Sequence, residues 1–177
     1  NKYQAICYEN GKFIIVANNS NLYFYSTDGI NWTESTISDN SRGWISVCYG
    51  NDKYIILSQD GYMAYSTDGI TWTEAAVGSS DSQWWQICYG NNLFVAITLQ
   101  NSNYLYSTDG ITWTEGTVEM GVFSVCYGNG YFVLSGATNY NTFAYSTDGI
   151  TWTYVNTEEM YLLPSICYGV DKYLAVG

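Results

Sequence analysis

Two residue types that can do chemistry recur at regular intervals along this 177-residue chain. An aspartate precedes a glycine at four equivalent places, and a cysteine stands at five, with a period of about 40 residues in both series. Carboxylates in such a series could act as the acid and base of a glycoside hydrolase, and thiolates could ligate zinc. The two series are Asp28, Asp68, Asp109 and Asp148, and Cys7, Cys48, Cys88, Cys126 and Cys167.

The aspartates belong to a ten-residue motif, and the cysteines to a second motif that repeats in phase with it. The sequence YSTDGITWTE stands at 65–74 and at 106–115, with near-copies at 25–34 and 145–154. Asp-Gly between β-rich runs predicts a type I′ turn, in which both central residues have positive φ. In the second repeat we therefore predict four strands, at Gly43–Tyr49, Lys53–Ser58, Met63–Ser66 and Ile70–Glu74.

Four antiparallel strands in each repeat predict an all-β chain that folds as a β-propeller of four-stranded blades. Because there are five cysteine motifs and four Asp-Gly motifs, we expect five blades with an incomplete last blade. A piece of a larger propeller, or two copies that complete each other, are the alternatives. We expect a single domain, with blades at 1–38, 39–78, 79–117 and 118–156 and a half blade at 157–177.

The repeated aspartates and tryptophans of the ten-residue motif have structural roles in this interpretation. An aspartate can accept backbone N–H bonds inside its own turn. An indole on the outer strand can cover the seam between one blade and the next. We therefore expect structural roles for the four aspartates and for Trp32, Trp72, Trp113 and Trp152, and we predict no catalytic residue among them.

The segment from Ser66 to Trp72 resembles the Asp-box of sialidase-type (BNR) propellers, whose pattern is S-x-D-x-G-x-T-W. This chain lacks the residue between Asp and Gly in all four copies. Together with the YGNGKF-like strand, the repeat looks like a bacterial or phage-associated propeller of the sialidase-like kind. The resemblance implies that the motif forms the turn between the third and fourth strands of a blade. It also implies that sialidase activity would need several arginines, whereas Arg42 is the only arginine here.

The five cysteines occupy one equivalent position of the first strand of each repeat. Equivalent positions on neighbouring blades should lie about 10 Å apart, beyond the Cα separation of about 7 Å that a disulfide tolerates. We therefore expect free, buried thiols, no metal and no cofactor, with a ring of thiolate ligands as the alternative. Free thiols favour a reducing compartment, such as a bacterial cytosol or a phage particle.

Charge and composition exclude several classes of function. Five basic residues against sixteen acidic ones give a net charge of −11, which disfavours nucleic acids and anionic membranes. There is no histidine, so Ser-His-Asp and Cys-His catalysis are absent. No apolar run approaches the length of a membrane helix, and the sequence predicts a soluble protein that is not an enzyme. Glycoside hydrolysis by paired carboxylates is the remaining catalytic alternative.

The loops between the second and third strands, and between the fourth strand and the next repeat, vary in length and are rich in aromatic and amide side chains. Aromatic faces can stack on sugar rings while amides bond the hydroxyls, so we predict a multivalent carbohydrate-binding propeller. The predicted ligand-binding residues are Trp44, Trp84, Trp85, Asn101, Asn103, Asn139, Tyr140 and Tyr161. The alternative is a structural or protein–protein interaction propeller with no small ligand, amplified recently or engineered. In either case, the incomplete blade would leave sheet edges that could pair with another copy.

Overall fold

The computed structural model describes residues 2–18, 20–37, 42–77, 83–99, 101–136, 142–156 and 164–176. In these ranges the regular structure is all β-strand. None of the described residues forms a helix of the length and apolarity needed to cross a membrane. The chain divides into two compact units, Asn1–Ile87 and Cys88–Gly177.

The first unit contains two antiparallel sheets of four strands, each with its strands in sequential order. The first sheet comprises β1 (Lys2–Glu9), β2 (Lys12–Asn18), β3 (Leu22–Ser26) and β4 (Thr33–Thr36). The second sheet comprises β5 (Trp44–Gly50), β6 (Lys53–Ser58), β7 (Tyr62–Ser66) and β8 (Thr73–Ala76). A core lies between the two sheets, and its buried members include Ile14, Val16, Tyr23, Trp44, Val47, Tyr54 and Ile56.

The second unit contains two more four-stranded sheets and one sheet of two strands. The third sheet begins at the end of the first unit with β9 (Trp84–Gly90) and continues through β10 (Leu93–Thr98), β11 (Asn103–Ser107) and β12 (Thr114–Thr117). The fourth comprises β13 (Val122–Gly128), β14 (Tyr131–Gly136), β15 (Thr142–Ser146) and β16 (Thr153–Asn156). The fifth comprises β17 (Ser165–Gly169) and β18 (Lys172–Val176), which we call the half blade.

The prediction of four-stranded antiparallel blades is confirmed, and a two-stranded sheet follows the fourth of them, but the prediction for the turn at Asp-Gly is wrong. Gly69 has a positive φ of 68°, whereas Asp68 is not among the residues with positive φ, so this is not a type I′ turn. The fourth strand of this repeat begins at Thr73 instead of Ile70, because the turn is wider than predicted. Type I′ geometry occurs instead between the first two strands, as at Asn51 (φ 45°) and Asp52 (φ 56°).

Successive blades of the second unit meet through a tyrosine of one blade that lies over a glycine of the blade before it. A Cβ added to Gly90 would lie 2.0 Å from the ring of Tyr127, and a Cβ added to Gly128 would lie 2.1 Å from the ring of Tyr168. Only glycine leaves room for a ring at this distance. We call each pair a Tyr-on-Gly contact.

Candidate functional site

Each repeated aspartate organises its own turn by accepting hydrogen bonds. In the third repeat, one carboxylate oxygen of Asp109 accepts the backbone N–H groups of Ile111 (2.8 Å) and Thr112 (2.7 Å). The hydroxyl of Ser107 donates to the same oxygen at 2.9 Å and accepts the backbone N–H of Gly110 at 2.8 Å. The turns at Asp28, Asp68 and Asp148 repeat this arrangement. Each of these carboxylates is thus engaged within its own turn.

These hydrogen bonds stabilise the charged form of the carboxylates. Backbone donors lower the pKa of Asp109 and of Asp148 to about 2, and they also lower the pKa of Asp68. For Asp28 the largest contribution to the lowered pKa is the side-chain amide of Asn31. A carboxylate with a lowered pKa is ionised at neutral pH and is unsuited to act as a general acid.

We expect the turns to make the protein sensitive to acid. A group with a pKa lowered by folding contributes stability that is present above its unfolded pKa, about 3.9, and is lost as the pH falls through its folded value. The free energy of unfolding should therefore fall between about pH 5 and pH 2, and Asp109→Asn should reduce that fall. Urea unfolding at a series of pH values measures it. Glu115→Gln, an exposed carboxylate on β12, is the control, and an equal slope in wild type and Asp109→Asn would contradict the expectation.

The tryptophans of the ten-residue motif lie in different surroundings. Trp72 packs edge-on against Tyr23 of the preceding blade, with ring centroids 5.7 Å apart. Trp152 packs in the same way against Tyr104 at 5.8 Å. Trp32 is exposed, and its centroid lies 6.0 Å from that of Phe13. Trp113 lies near Phe94, at 6.2 Å.

The predicted carbohydrate-binding residues differ in exposure where the structure describes them. Trp44 and Trp84 are buried, at 0% and 1% exposed, and this burial disfavours the binding role that the sequence predicts for them. Trp85 is half-buried in the first unit, whereas Asn101 and Asn103 are exposed in the second unit. The other three predicted residues, Asn139, Tyr140 and Tyr161, lie outside the described residues.

None of the five cysteines forms a disulfide in the described structure, and the prediction that they are buried holds only in part, because four are half-buried and Cys167 is exposed. Burial raises the pKa of Cys7 to about 11 and that of Cys126 to about 12, and it also raises the pKa of Cys48. Such thiols are protonated at neutral pH and are poor nucleophiles. Within the described part of the chain, no three Cys, Asp or Glu side chains cluster closely enough to hold a metal ion.

Arg42 forms a structural cluster that the sequence analysis missed. Its guanidinium lies 2.6 Å from a carboxylate oxygen of Asp60 and 3.2 Å from one of Glu74. It also lies over the ring of Tyr62, 3.2 Å from the centroid. Asp60 and Glu74 are thus held in ion pairs with Arg42 on the second blade.

The described residues of the second unit form a groove that the sequence analysis also missed. It has a volume of about 550 Å³, within the range of ligand sites, and lies between the fourth blade and the half blade. Tyr131 and Tyr145 at its margin are each 39% exposed. We call it the apolar groove, and its lining residues are Tyr131, Val133, Phe143, Tyr145, Val155, Ile166, Tyr173 and Ala175.

The groove lies where other blades are covered by a tryptophan. Tyr23, Tyr104 and Phe143 are each the second residue of the third strand of their blade. Trp72 covers Tyr23, and Trp152 covers Tyr104. The half blade beside Phe143 has two strands in the described residues and presents no such tryptophan there. The sequence signal for this groove was the excess of cysteine motifs over Asp-Gly motifs.

The architecture and the solved structures that resemble it define the fold class of this chain. No protein-family model matches the sequence, and no curated protein is significantly similar to it. Solved structures do match: virginiamycin B lyase from Staphylococcus aureus (14% identity, TM-score 0.85, 99% of this chain and 63% of that one), YCF48 bound to D1 peptide (17%, 0.73, 96% and 58%) and the WD40 β-propeller domain of Doa1 (8%, 0.73, 98% and 61%).

These matches establish the fold. The chain is an all-β protein made of β-propeller blades, and it spans about three fifths of the length of the structures that it matches. Because fewer than one fifth of the aligned residues are identical, the resemblance to these structures does not indicate an activity for this chain. The similar proteins include a lyase and a protein in complex with a peptide, so they favour neither catalysis nor binding.

Proposed function

We propose that this chain is a non-catalytic binding propeller whose apolar groove captures an extended polypeptide segment. The observation that supports this most directly is the apolar lining of the groove. Tyr173 and Ala175 of β18 line it, and among the described residues β18 pairs with β17 alone. An added strand could pair with β18 through its backbone and place alternate side chains in the groove.

The chemistry of the groove favours a peptide over a sugar. Five of its eight lining residues are Val, Ile, Phe or Ala, and the tyrosine hydroxyls are the only polar side-chain groups. A sugar would need donors and acceptors for its hydroxyl groups, whereas a strand brings its own backbone partners and apolar side chains. Among the described residues, the prediction of carbohydrate binding now depends on Trp85, Asn101 and Asn103.

Two further features are consistent with a binding role. YCF48, one of the structurally similar propellers, was solved with a peptide bound. The four repeated aspartates are engaged in their own turns, and burial raises the pKa of Cys7, Cys48 and Cys126, so neither set of groups favours a catalytic role. We retain the sialidase-like Asp-box type, a bacterial or phage origin and a reducing compartment as hypotheses that rest on the motif and on the free cysteines.

A peptide-display selection on the purified protein tests the proposal, with a glycan array probed by the same sample. We expect peptides with apolar or aromatic residues at alternating positions, and at least about tenfold weaker binding by Tyr145→Ala, the cost of removing an aromatic anchor. Tyr3→Ala, an exposed tyrosine in the first unit, is the matched control and should bind as wild type does. Retention of a sugar class without any selected peptide would instead support the carbohydrate prediction.

A further inference from the structure

The turns between the first two strands of the blades contain two Asn-Gly pairs, which the proposed function does not use. Asn10 and Gly11 connect β1 to β2, and Asn129 and Gly130 connect β13 to β14. In such a pair the backbone nitrogen of the glycine can attack the side-chain carbonyl carbon of the asparagine, since glycine has no Cβ to hinder the approach. Whether a folded protein undergoes this reaction depends on the conformation of the turn.

Both pairs have the backbone conformation of a type I′ turn, which requires positive φ at each of the two central residues. The φ angle is 50° at Asn10 and 71° at Gly11, and it is 43° at Asn129 and 83° at Gly130. A type II′ turn also has positive φ at its first central residue, with ψ of roughly −120°. At that ψ, the backbone nitrogen of the glycine faces the side-chain carbonyl carbon of the asparagine.

Rotation of one peptide group is enough to convert the first geometry into the second. The strand register pairs Glu9 with Lys12 on either side of the first turn, and it pairs Gly128 with Tyr131 on either side of the second. The peptide group between the asparagine and the glycine lies outside both ladders. It can therefore rotate into the geometry of attack while the strands stay paired.

Both turns are also open to water, which the second step of the reaction consumes. A Cβ added to Gly11 or to Gly130 would meet nothing within 4 Å. A blade follows the first turn and a blade precedes the second, so neither neighbour covers this position. The two central residues of the equivalent turn are exposed in all five sheets, at 10–11, 51–52, 91–92, 129–130 and 170–171.

The Asp-Gly pairs of the ten-residue motif lie in turns that oppose the same reaction. In the third repeat, the backbone N–H of Gly110 donates to the hydroxyl of Ser107 at 2.8 Å, so the attacking nitrogen is engaged. The carboxylate of Asp109 accepts that hydroxyl and two backbone N–H groups, which fix its orientation. The bond from glycine to serine recurs at 2.8–2.9 Å in the other three turns.

We propose that Asn10 and Asn129 deamidate in the folded protein, whereas the four repeated aspartates are protected from isomerisation. The glycine nitrogen bonds to the side-chain carbonyl carbon, its proton passes to the departing side-chain nitrogen, and ammonia leaves a cyclic imide. Water then adds to either imide carbonyl and cleaves one of its C–N bonds, which gives aspartate or isoaspartate. Water is the only co-reactant, and no electrons are transferred. Neither asparagine lines the apolar groove, so this inference does not rest on the proposed function.

Isoaspartate in either turn would disturb a contact between successive blades. Tyr54 donates its hydroxyl to the backbone carbonyl of Glu9 at 2.5 Å, and Tyr173 donates to that of Gly128 at 2.5 Å. Each of these carbonyls directly precedes a reactive asparagine. Because isoaspartate adds a methylene group to the main chain, it should displace the carbonyl from the tyrosine hydroxyl. Ion-exchange chromatography separates the modified chain by its added negative charge, and we expect it to unfold at a lower urea concentration than the unmodified chain.

Incubation of the folded protein at neutral pH in heavy-oxygen water, followed by peptide mapping with mass spectrometry, tests the proposal. We expect Asn10 and Asn129 to lose ammonia and gain heavy oxygen. Asn91 should remain unchanged, because Asn92 follows it and its side-chain amide donates to the backbone carbonyl of Thr147 at 3.0 Å. The four Asp-Gly pairs should gain heavy oxygen only in protein unfolded by urea, where the serine no longer engages the glycine nitrogen.

The variants Gly11→Asn and Gly130→Asn are matched controls. The third blade already has an asparagine at this position, since Asn92 has a φ of 59°, and circular dichroism verifies that both variants fold. Each variant should keep the amide in its altered turn and lose ammonia from the other turn, which serves as an internal reference. Retention of both amides in the folded wild type, under conditions in which the unfolded chain loses them, would overturn the proposal. So would variants that react as wild type does, or heavy oxygen in the Asp-Gly pairs of the folded protein.

Discussion

Replacing Trp84 with alanine is expected to lower the free energy of unfolding by about 3–5 kcal/mol, the usual cost of truncating a buried aromatic side chain. Trp84 is 1% exposed, and its indole N–H donates to the backbone carbonyl of Val77 at 3.4 Å. The variant would leave a cavity in the first unit and an unpaired carbonyl. Urea unfolding followed by circular dichroism measures the loss.

Trp85→Ala is the matched control, because it removes the same side chain one residue along the same strand. Trp85 is half-buried, so its truncation should cost less than about 1.5 kcal/mol. Equal costs for the two variants would contradict the placement of Trp84 in the core. Loss of sugar retention by Trp84→Ala with unchanged stability would restore its predicted role as a ligand-binding residue.

Replacing Gly128 with alanine is expected to destabilise the second unit by about 1–3 kcal/mol, the cost of overpacking a filled interface. The added Cβ would lie 2.1 Å from the ring of Tyr168, so the half blade or the ring must move. The hydrogen bond from Tyr173 to the backbone carbonyl of Gly128 lies in the same joint and should weaken with it. Thermal or urea unfolding of the variant measures the effect.

Gly169→Ala provides the comparison at an equivalent position. Nothing lies within 4 Å of a Cβ at Gly169, so this variant should differ from wild type by no more than about 0.5 kcal/mol when measured on dilute protein. If Gly169→Ala lowered the free energy of unfolding as much as Gly128→Ala does, the backbone conformation, and not the overlying ring, would be the reason for glycine at Gly128. A neutral effect at Gly128 would contradict the Tyr-on-Gly contact itself.

The fold could be predicted because the same two motifs recur along the chain. Motifs in phase at about 40 residues leave few alternatives to four-stranded blades, and the fifth cysteine motif corresponds to the two-stranded sheet that follows the fourth blade. The backbone conformation of the Asp-Gly turn could not be predicted in this way. Asp-Gly alone suggests a type I′ turn, but the carboxylate of Asp68 accepts the N–H groups of Ile70 and Thr71 and holds a wider turn.

The candidate site was harder to predict because composition does not tell which face a side chain occupies. Trp84 and Trp85 are adjacent on a strand and therefore point to opposite faces, so at most one of them could have faced a ligand in the loop region. The opposite orientation of the two tryptophans could therefore have been deduced from the sequence alone. The apolar groove, by contrast, was identified only by comparison with Tyr23 and Tyr104, which a tryptophan covers, whereas no tryptophan among the described residues covers Phe143.

The Tyr-on-Gly contact also bears on how such a protein can change in length. Tyr127 and Tyr168 each lie over the glycine of the preceding blade, and the residues that meet are the same in type at both joints. After a repeat is duplicated or deleted, the blades that become neighbours therefore present the same pair of contact residues, and this contact needs no compensating substitution. Unequal recombination between nearly identical gene segments would then add or remove whole blades in one step, so that blade number can evolve faster than blade sequence.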